Sequence, residues 1–130
     1  MTLVEEREFL DNLLLQYGHR VGKLEDVRKD ATMNTVRIDR ATPLGNHPAV
    51  GKRSKNPRDR IRVIMDYRTW LHAEYKQNPH YWRMMLAIIQ DTTTLRCHCN
   101  NLTNTRTTGG TWCHGLIILE LIDMIKEGKI

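Results

Sequence analysis

The chain has 130 residues, with 20 Lys and Arg against 15 Asp and Glu, which gives a formal net charge of +5. This length suits one domain that buries a core without help from a metal or a disulfide, and frequent periodic aliphatic residues exclude a disordered chain. No apolar run approaches the roughly 20 residues that span a bilayer, and the acidic start is unlike a secretory signal. A cytoplasmic protein with reduced cysteines and no membrane partner is therefore expected.

The first predicted element is a helix over residues 3–17. Thr2 and Glu5 form a capping-box pattern. Apolar residues then recur on one helical face, and Gly18 follows the last of them as a natural stop.

A strand is predicted in "NTVRIDR", where Val36 and Ile38 alternate with polar residues. It runs into "ATPLGNHP", in which Pro43 fixes one backbone angle and Gly45 and Asn46 tolerate unusual ones. This pattern predicts a stiff, shaped loop at the end of a strand, a common place for a ligand.

Two helices follow, and each is introduced by an Asn-Pro pair, Asn56–Pro57 and Asn78–Pro79. Asn caps a helix and Pro suits its first turn. Aromatic, Met and aliphatic residues recur in both segments at helical spacing, which indicates packing against a core.

The second clear strand is "TTTLRCHC", which places Cys97 and Cys99 on the same face as Leu95. The stretch 100–112 is too rich in Asn, Thr and Gly to be expected as regular structure. The closing segment "GLIILELIDMIKEGKI" is predicted to be a helix whose first turns are buried, because they are apolar nearly all round.

The element order predicts a helix-rich α/β fold with a small Rossmann-like βαβ core of few parallel strands. A third strand is expected within residues 21–33 or 47–55. We assign residues 1–33 to an N-terminal helix and connector and residues 34–130 to the small α/β domain.

Four segments together resemble the family called domain of unknown function 4326: "VRIDRATPLGNHPAVG", "RDRIRVIMDYRTWL", "LRCHC" and "WCHGLIILELI". The family is common in bacteria and phages, so the resemblance implies a phage-type protein of the host cytoplasm. The positions that match its pattern are Arg40, Pro43, Gly45, Asn46, Pro48, Tyr67, Trp70, Cys97, Cys99, Cys113, His114 and Gly115. The chain departs from the pattern in the thirteen residues between Cys99 and Cys113.

Three interpretations of the Cys/His segment remain open. Cys97, Cys99, Cys113 and His114 form a zinc-type ligand set if the strand end and the helix start converge. Alternatively, Cys113 is a reactive thiol at a helix start, or the cysteines are buried structural residues.

The leading functional hypothesis is a pocket in which the protein binds a nucleotide-like or phosphorylated ligand, with processing of that ligand left open. In open α/β folds ligands lie beyond the carboxyl ends of strands, where the Pro43–Asn46 loop and the Cys/His segment both fall. Arg40 and Arg58 are candidates for contacts to an anion. No P-loop or dinucleotide motif is present, and the sequence leaves an enzymatic activity open.

The alternative is a basic protein that binds nucleic acid or inhibits a host protein, with a structural zinc or buried cysteine cluster. Six basic residues lie between Lys52 and Arg62, against the single acid Asp59. Such a cluster attracts phosphate, and a contact of this kind weakens steeply with salt.

Overall fold

A computed structural model of the chain describes residues 1–23, 34–38, 42–45, 57–97, 106–107 and 110–130. Within these ranges the chain is a small, helix-rich α/β fold built on a parallel sheet, as predicted. None of the helices in these ranges combines the length and the apolar character that a membrane crossing requires.

The first three helices begin where the capping patterns predict, and the fourth begins at His114, capped by Cys113. Their bounds are α1 (Leu3–Tyr17), α2 (Pro57–Gln77), α3 (Pro79–Leu86) and α4 (His114–Lys126). Thr2 and Glu5 form both hydrogen bonds of the capping box, and the Asn78 side chain accepts the N–H of the third residue of α3. Gly18 ends α1 with right-handed backbone angles because a short 3₁₀ turn continues there, whereas Gly128 beyond α4 has φ +72°.

Three strands form one sheet, and both neighbouring pairs are parallel. The strands are β1 (Val21–Lys23), β2 (Thr35–Arg37) and β3 (Thr94–Cys97), in the order β1–β3–β2. The prediction of parallel strands is confirmed, and β1 is the third strand expected within residues 21–33. All three strands end at the same edge, the carboxyl edge of the sheet, which is where the sequence motifs follow them.

A short antiparallel pair lies within residues 100–112. Its strands are β4 (Arg106–Thr107) and β5 (Gly110–Thr111), with Arg106 opposite Thr111. The expectation of no regular structure in this stretch is therefore wrong in part. Threonine is β-branched and favours extended backbone, and that preference prevails at these positions over the Asn and Gly around them.

Helix α4 forms the centre of the core. Residues 114–119 are all buried, so its first turns are enclosed on every side. α1 and α2 pack against α4 and each other, α3 packs on α2, and α4 also contacts β3. Leu95 and Ile38 on the sheet are fully buried, whereas Arg37 and Arg96 alternate to the opposite face.

A partly buried ion pair joins α2 to α4. Arg68 donates from Nε and Nη2 to the two carboxylate oxygens of Glu120, at 2.8 and 3.3 Å, and His72 Nε2 lies 3.6 Å from the same carboxylate. Burial alone acts to raise the pKa of Glu120, but hydrogen bonds and charge from His72 and Arg68 outweigh it and hold that pKa below its ordinary value.

The packing of α1 is tested by a matched pair of leucines on that helix. Leu10→Ala should lower the free energy of unfolding by about 2–5 kcal/mol, because Leu10 is 0% exposed and its truncation leaves a cavity. Leu15→Ala, at a position 69% exposed, should change it by less than about 0.5 kcal/mol. Urea unfolding followed by circular dichroism measures both, and equal effects would contradict the placement of α1.

The α2–α4 ion pair predicts a pH-dependent contribution to stability. A carboxyl whose pKa is lowered by folding stabilises the protein above its unfolded pKa, about 4.3 for Glu, and loses that contribution as pH falls through the folded value. Glu120→Gln should therefore cost about 1–3 kcal/mol at neutral pH. Urea titrations of both proteins from neutral pH downward should show the difference shrinking once the pH falls below the unfolded Glu pKa of about 4.3, and a pH-independent difference would contradict the assignment.

Candidate functional site at the carboxyl edge

His114 connects the start of α4 to the end of β2. Its ring is 3% exposed, and Nε2 lies 2.5 Å from the carbonyl oxygen of Ile38, the residue after β2. A carbonyl oxygen only accepts hydrogen bonds, so Nε2 carries the hydrogen and donates it. In the neutral ring Nδ1 is then the acceptor nitrogen.

Cys113 caps the same helix and lies beside that acceptor. Its Sγ accepts the N–H of Gly115 at 3.3 Å and is 3.9 Å from His114 Nδ1. The Cys113 side chain is 0% exposed, and its backbone oxygen accepts the N–H of Leu116 at 3.0 Å. The N–H groups of Gly115 and Leu116, in the first turn of α4, are therefore engaged by Cys113.

Gly115 allows α4 to approach the sheet closely. A Cβ at this position would lie 2.8 Å from Val21 Cγ1 and 2.9 Å from Ile38 Cδ1, closer than carbon atoms approach without strain. The Cys-His-Gly motif thus requires glycine at position 115 because the start of α4 packs directly against Val21 of β1 and against Ile38.

The peptide of Ile38 joins three elements. Its N–H donates to the Arg96 carbonyl of β3 at 2.9 Å, and its carbonyl accepts from His114 on α4. Cys97, the last residue of β3, directly follows Arg96. The described end of β3 therefore lies next to the start of α4.

The loop after β2 is attached to the same place through Tyr67 of α2. The Gly45 N–H closes a turn on the Thr42 carbonyl at 3.0 Å, and the Tyr67 hydroxyl donates to the Leu44 carbonyl at 2.8 Å. The Tyr67 ring also meets the His114 ring edge-on, with centroids 5.1 Å apart. Tyr67 is fully buried, so it links the loop to α4 from within the core.

Arg60 of α2 binds the residue that precedes Cys113, Trp112. Its side chain is 1% exposed, and Nε and Nη2 both donate to the Trp112 carbonyl, at 2.9 and 2.5 Å. The Trp112 indole in turn donates to Asp11 of α1 at 2.8 Å and lies under the Arg7 guanidinium, 5.6 Å from the ring centroid. The segment before α4 is thereby fixed by α2 and α1.

The sequence-based interpretation counted Arg60 among the basic residues of a charged cluster and did not identify its role. Position 60 falls in helical register with Ile64, Tyr67 and Leu71, all of which are buried. An arginine on an apolar helical stripe signals a buried cation with a specific acceptor. The helical spacing of Arg60 is therefore the sequence feature that indicates its burial.

The predicted site residues divide into three groups. Gly45, Cys113 and His114 are buried and lie in the group of contacts just described, and Pro43 is exposed in the adjoining turn. Arg58 lies in the first turn of α2 and Cys97 ends β3, with their backbone alone described. Arg40, Asn46 and Cys99 fall outside the described residues. Across the described ranges, no three His, Cys, Asp or Glu side chains gather around a point that would hold a metal.

Residues 23–124 match the family described as "Domain of unknown function (DUF4326)". The match includes β2, β3, α2 and most of α4, and α1 lies before it. No curated protein and no solved structure matches the chain.

The close approach at Gly115 gives a test of the site's construction. Gly115→Ala should destabilise the protein by about 1–3 kcal/mol, because the added methyl overpacks the contact with Val21 and Ile38. Ile38→Val removes one of the obstructing atoms, so the double variant should be more stable than the sum of the single effects by at least about 0.5 kcal/mol. Chemical unfolding of the wild type, the two single variants and the double variant gives the coupling free energy between the two positions. Strictly additive effects would contradict the contact between Gly115 and Ile38.

Proposed function

This chain belongs to the DUF4326 family, and we propose that it binds a small anionic ligand, nucleotide-like or phosphorylated, at the carboxyl edge of its parallel sheet. The observation that supports this most is the hydrogen bond from His114 to the Ile38 carbonyl, which holds the start of α4 at the end of β2. Ile38 and His114, which are distant in sequence, are thereby neighbours at the carboxyl edge, and open α/β folds bind their ligands at that edge.

Arginine side chains provide the positive charge for such a ligand. Cys113 accepts the N–H groups of Gly115 and Leu116, so this helix start is a poor anion site by itself. Arg60 brings a buried guanidinium to the segment before α4, and a buried charge is less screened than an exposed one. Arg40 and Arg58 are the proposed direct contacts, since a guanidinium binds phosphate through two parallel hydrogen bonds.

The burial of Arg60 favours this proposal over a nucleic-acid surface. Arg60 is one of the six cations that make residues 52–62 a basic cluster, yet it points into the core and donates to a backbone carbonyl. A nucleic-acid phosphate backbone binds cations at the protein surface. Arg60 is buried, so one of the six cations of the cluster is unavailable for such a contact. Binding to nucleic acid or to a host protein is the competing outcome of the experiment below.

The proposal is tested by thermal unfolding of the full chain with a panel of mononucleotides, sugar phosphates and inorganic phosphate. At least one compound should raise Tm, since a ligand at about 100 times its Kd adds about 2.7 kcal/mol of stability. Arg40→Ala should abolish the shift. Arg62→Ala, which removes an exposed arginine of α2, is the matched control and should retain it.

Two outcomes contradict the proposal. One is a panel without any Tm shift, and the other is a shift that Arg40→Ala and Arg62→Ala reduce equally. Binding of a random-sequence oligonucleotide that falls steeply between low and moderate salt would support the nucleic-acid alternative instead. A small ligand in an oriented site should keep most of its affinity over the same salt range.

A further inference from the structure

We propose that a cavity between α3 and the end of α4 binds a small carboxylate with an apolar body, such as a medium-chain fatty acid. The cavity has a volume of about 400 Å³, at the lower end of the roughly 300–1,000 Å³ of small-molecule pockets. Its apolar lining consists of Leu86, Ala87, Ile89, Ile122 and Ile125, and its charged residues are Arg83, Asp91 and Lys126. An apolar lining with a few charged groups is typical of a site for a small amphipathic molecule.

The cavity lies at the opposite end of α4 from the carboxyl edge of the sheet. His114 begins α4 and Lys126 ends it, and at about 1.5 Å per residue these positions are about 18 Å apart along the helix axis. Gln90 and Asp91 line the cavity and precede β3, which begins at Thr94. The cavity is therefore beside the amino end of β3. This inference does not rest on the function proposed for the carboxyl edge, and each can fail without the other.

Hydrogen bonds fix the segment between α3 and β3, which forms one wall of the cavity. The Ile89 N–H donates to the Leu86 carbonyl at 3.0 Å, and the Thr93 N–H donates to the Gln90 carbonyl at 3.1 Å. Arg20 also donates to the Gln90 and Thr93 carbonyls. The wall is thus formed before a ligand binds, which lowers the entropic cost of binding.

The charged residues of the cavity leave one positive charge without a compensating acid. Lys126 Nζ donates to Asp91 Oδ1 at 2.8 Å, so these two charges offset each other. Arg83 donates from Nε to the Tyr75 hydroxyl at 3.0 Å, and its guanidinium lies over the Tyr75 ring, 5.8 Å from the centroid. Among the residues that the structure describes, no carboxylate forms an ion pair with Arg83.

An uncompensated guanidinium that lines an apolar cavity favours a carboxylate ligand. Nε orients the Arg83 side chain on Tyr75, and Nη1 and Nη2 can donate two parallel hydrogen bonds to one carboxylate. Arg83 is exposed, and an exposed ion pair contributes little affinity. Burial of the apolar body therefore supplies most of the affinity, and Arg83 sets the preference for an anion over a neutral or cationic molecule.

The ligand class is tested by titrating the nitrogen-15-labelled full chain with octanoate, octan-1-ol and octylammonium, which share one apolar body and differ in charge. Octanoate should shift the amide NMR signals of the lining residues in a saturable way. It should bind about three- to five-fold more tightly than octan-1-ol, the difference that an exposed ion pair contributes. Octylammonium should bind more weakly than octan-1-ol, because Arg83 repels it.

Two pairs of variants locate the site. Arg83→Gln should remove the preference for octanoate over octan-1-ol, whereas Arg83→Lys keeps the charge and should retain most of that preference. Ala87→Phe fills the cavity from the exposed residue after α3 and should weaken octanoate binding about ten-fold or more by steric exclusion. Ala73→Phe, at an exposed position of α2 outside the lining, is the matched control and should leave binding unchanged.

The proposal is overturned if octanoate gives no saturable shift or binds no more tightly than octan-1-ol. It is also overturned if Arg83→Gln or Ala87→Phe binds octanoate as the wild type does. Sedimentation velocity of the ligand-free protein supplies a further check. Dimers that Ala87→Phe abolishes would assign the cavity to a second copy of the chain and would contradict the proposed ligand.

Discussion

The hydrogen bond from His114 to the Ile38 carbonyl is the constraint on which the rest of the site depends. A carbonyl just beyond the end of a strand has lost its regular ladder partner, and a buried carbonyl needs a replacement. The His114 ring is itself buried and needs an acceptor for its N–H. Each group satisfies the other, so breaking the contact leaves two buried polar groups unpaired. This mutual requirement holds α4 at the carboxyl edge of the sheet.

Two more hydrogen bonds from a buried side chain to a backbone carbonyl lie at this edge of the sheet. Tyr67 donates to the Leu44 carbonyl, and Arg60 donates to the Trp112 carbonyl. In each case a buried side chain on a helix donates to the carbonyl of a residue that lies outside the helices and strands. Two of the three donors lie on α2, which therefore braces the loop after β2 and the segment before α4 together. Internal contacts thus fix the described part of the edge, and preorganisation of this kind favours the binding proposed for it.

The sequence predicted the features that depend on local pattern. Capping residues located the starts of α1, α2 and α3, alternation located β2 and β3, and the element order indicated a parallel sheet. Contacts between residues distant in the chain produce no local sequence pattern. The spacing of Tyr67 predicts only a core aromatic, and no residue near Leu44 in the sequence indicates that Tyr67 donates a hydrogen bond to the Leu44 carbonyl. The charge of Arg60 suggests a surface residue, whereas its helical spacing with Ile64 and Tyr67 indicates the burial that the structure shows. The roles assigned to Arg40, Asn46 and Cys99 stay predictions, since these residues lie outside the described ranges.

The tautomer of His114 tests the central contact most directly. Nitrogen-15 NMR of the imidazole in uniformly labelled protein, at about pH 8 where an ordinary histidine is neutral, distinguishes the protonated ring nitrogen from the bare or metal-bound one. The hydrogen bond to Ile38 requires a proton on Nε2, so in the neutral ring Nδ1 carries none. A ring protonated on Nδ1, or one that exchanges rapidly between both forms as in a solvent-exposed histidine, would contradict it and remove the link between α4 and β2.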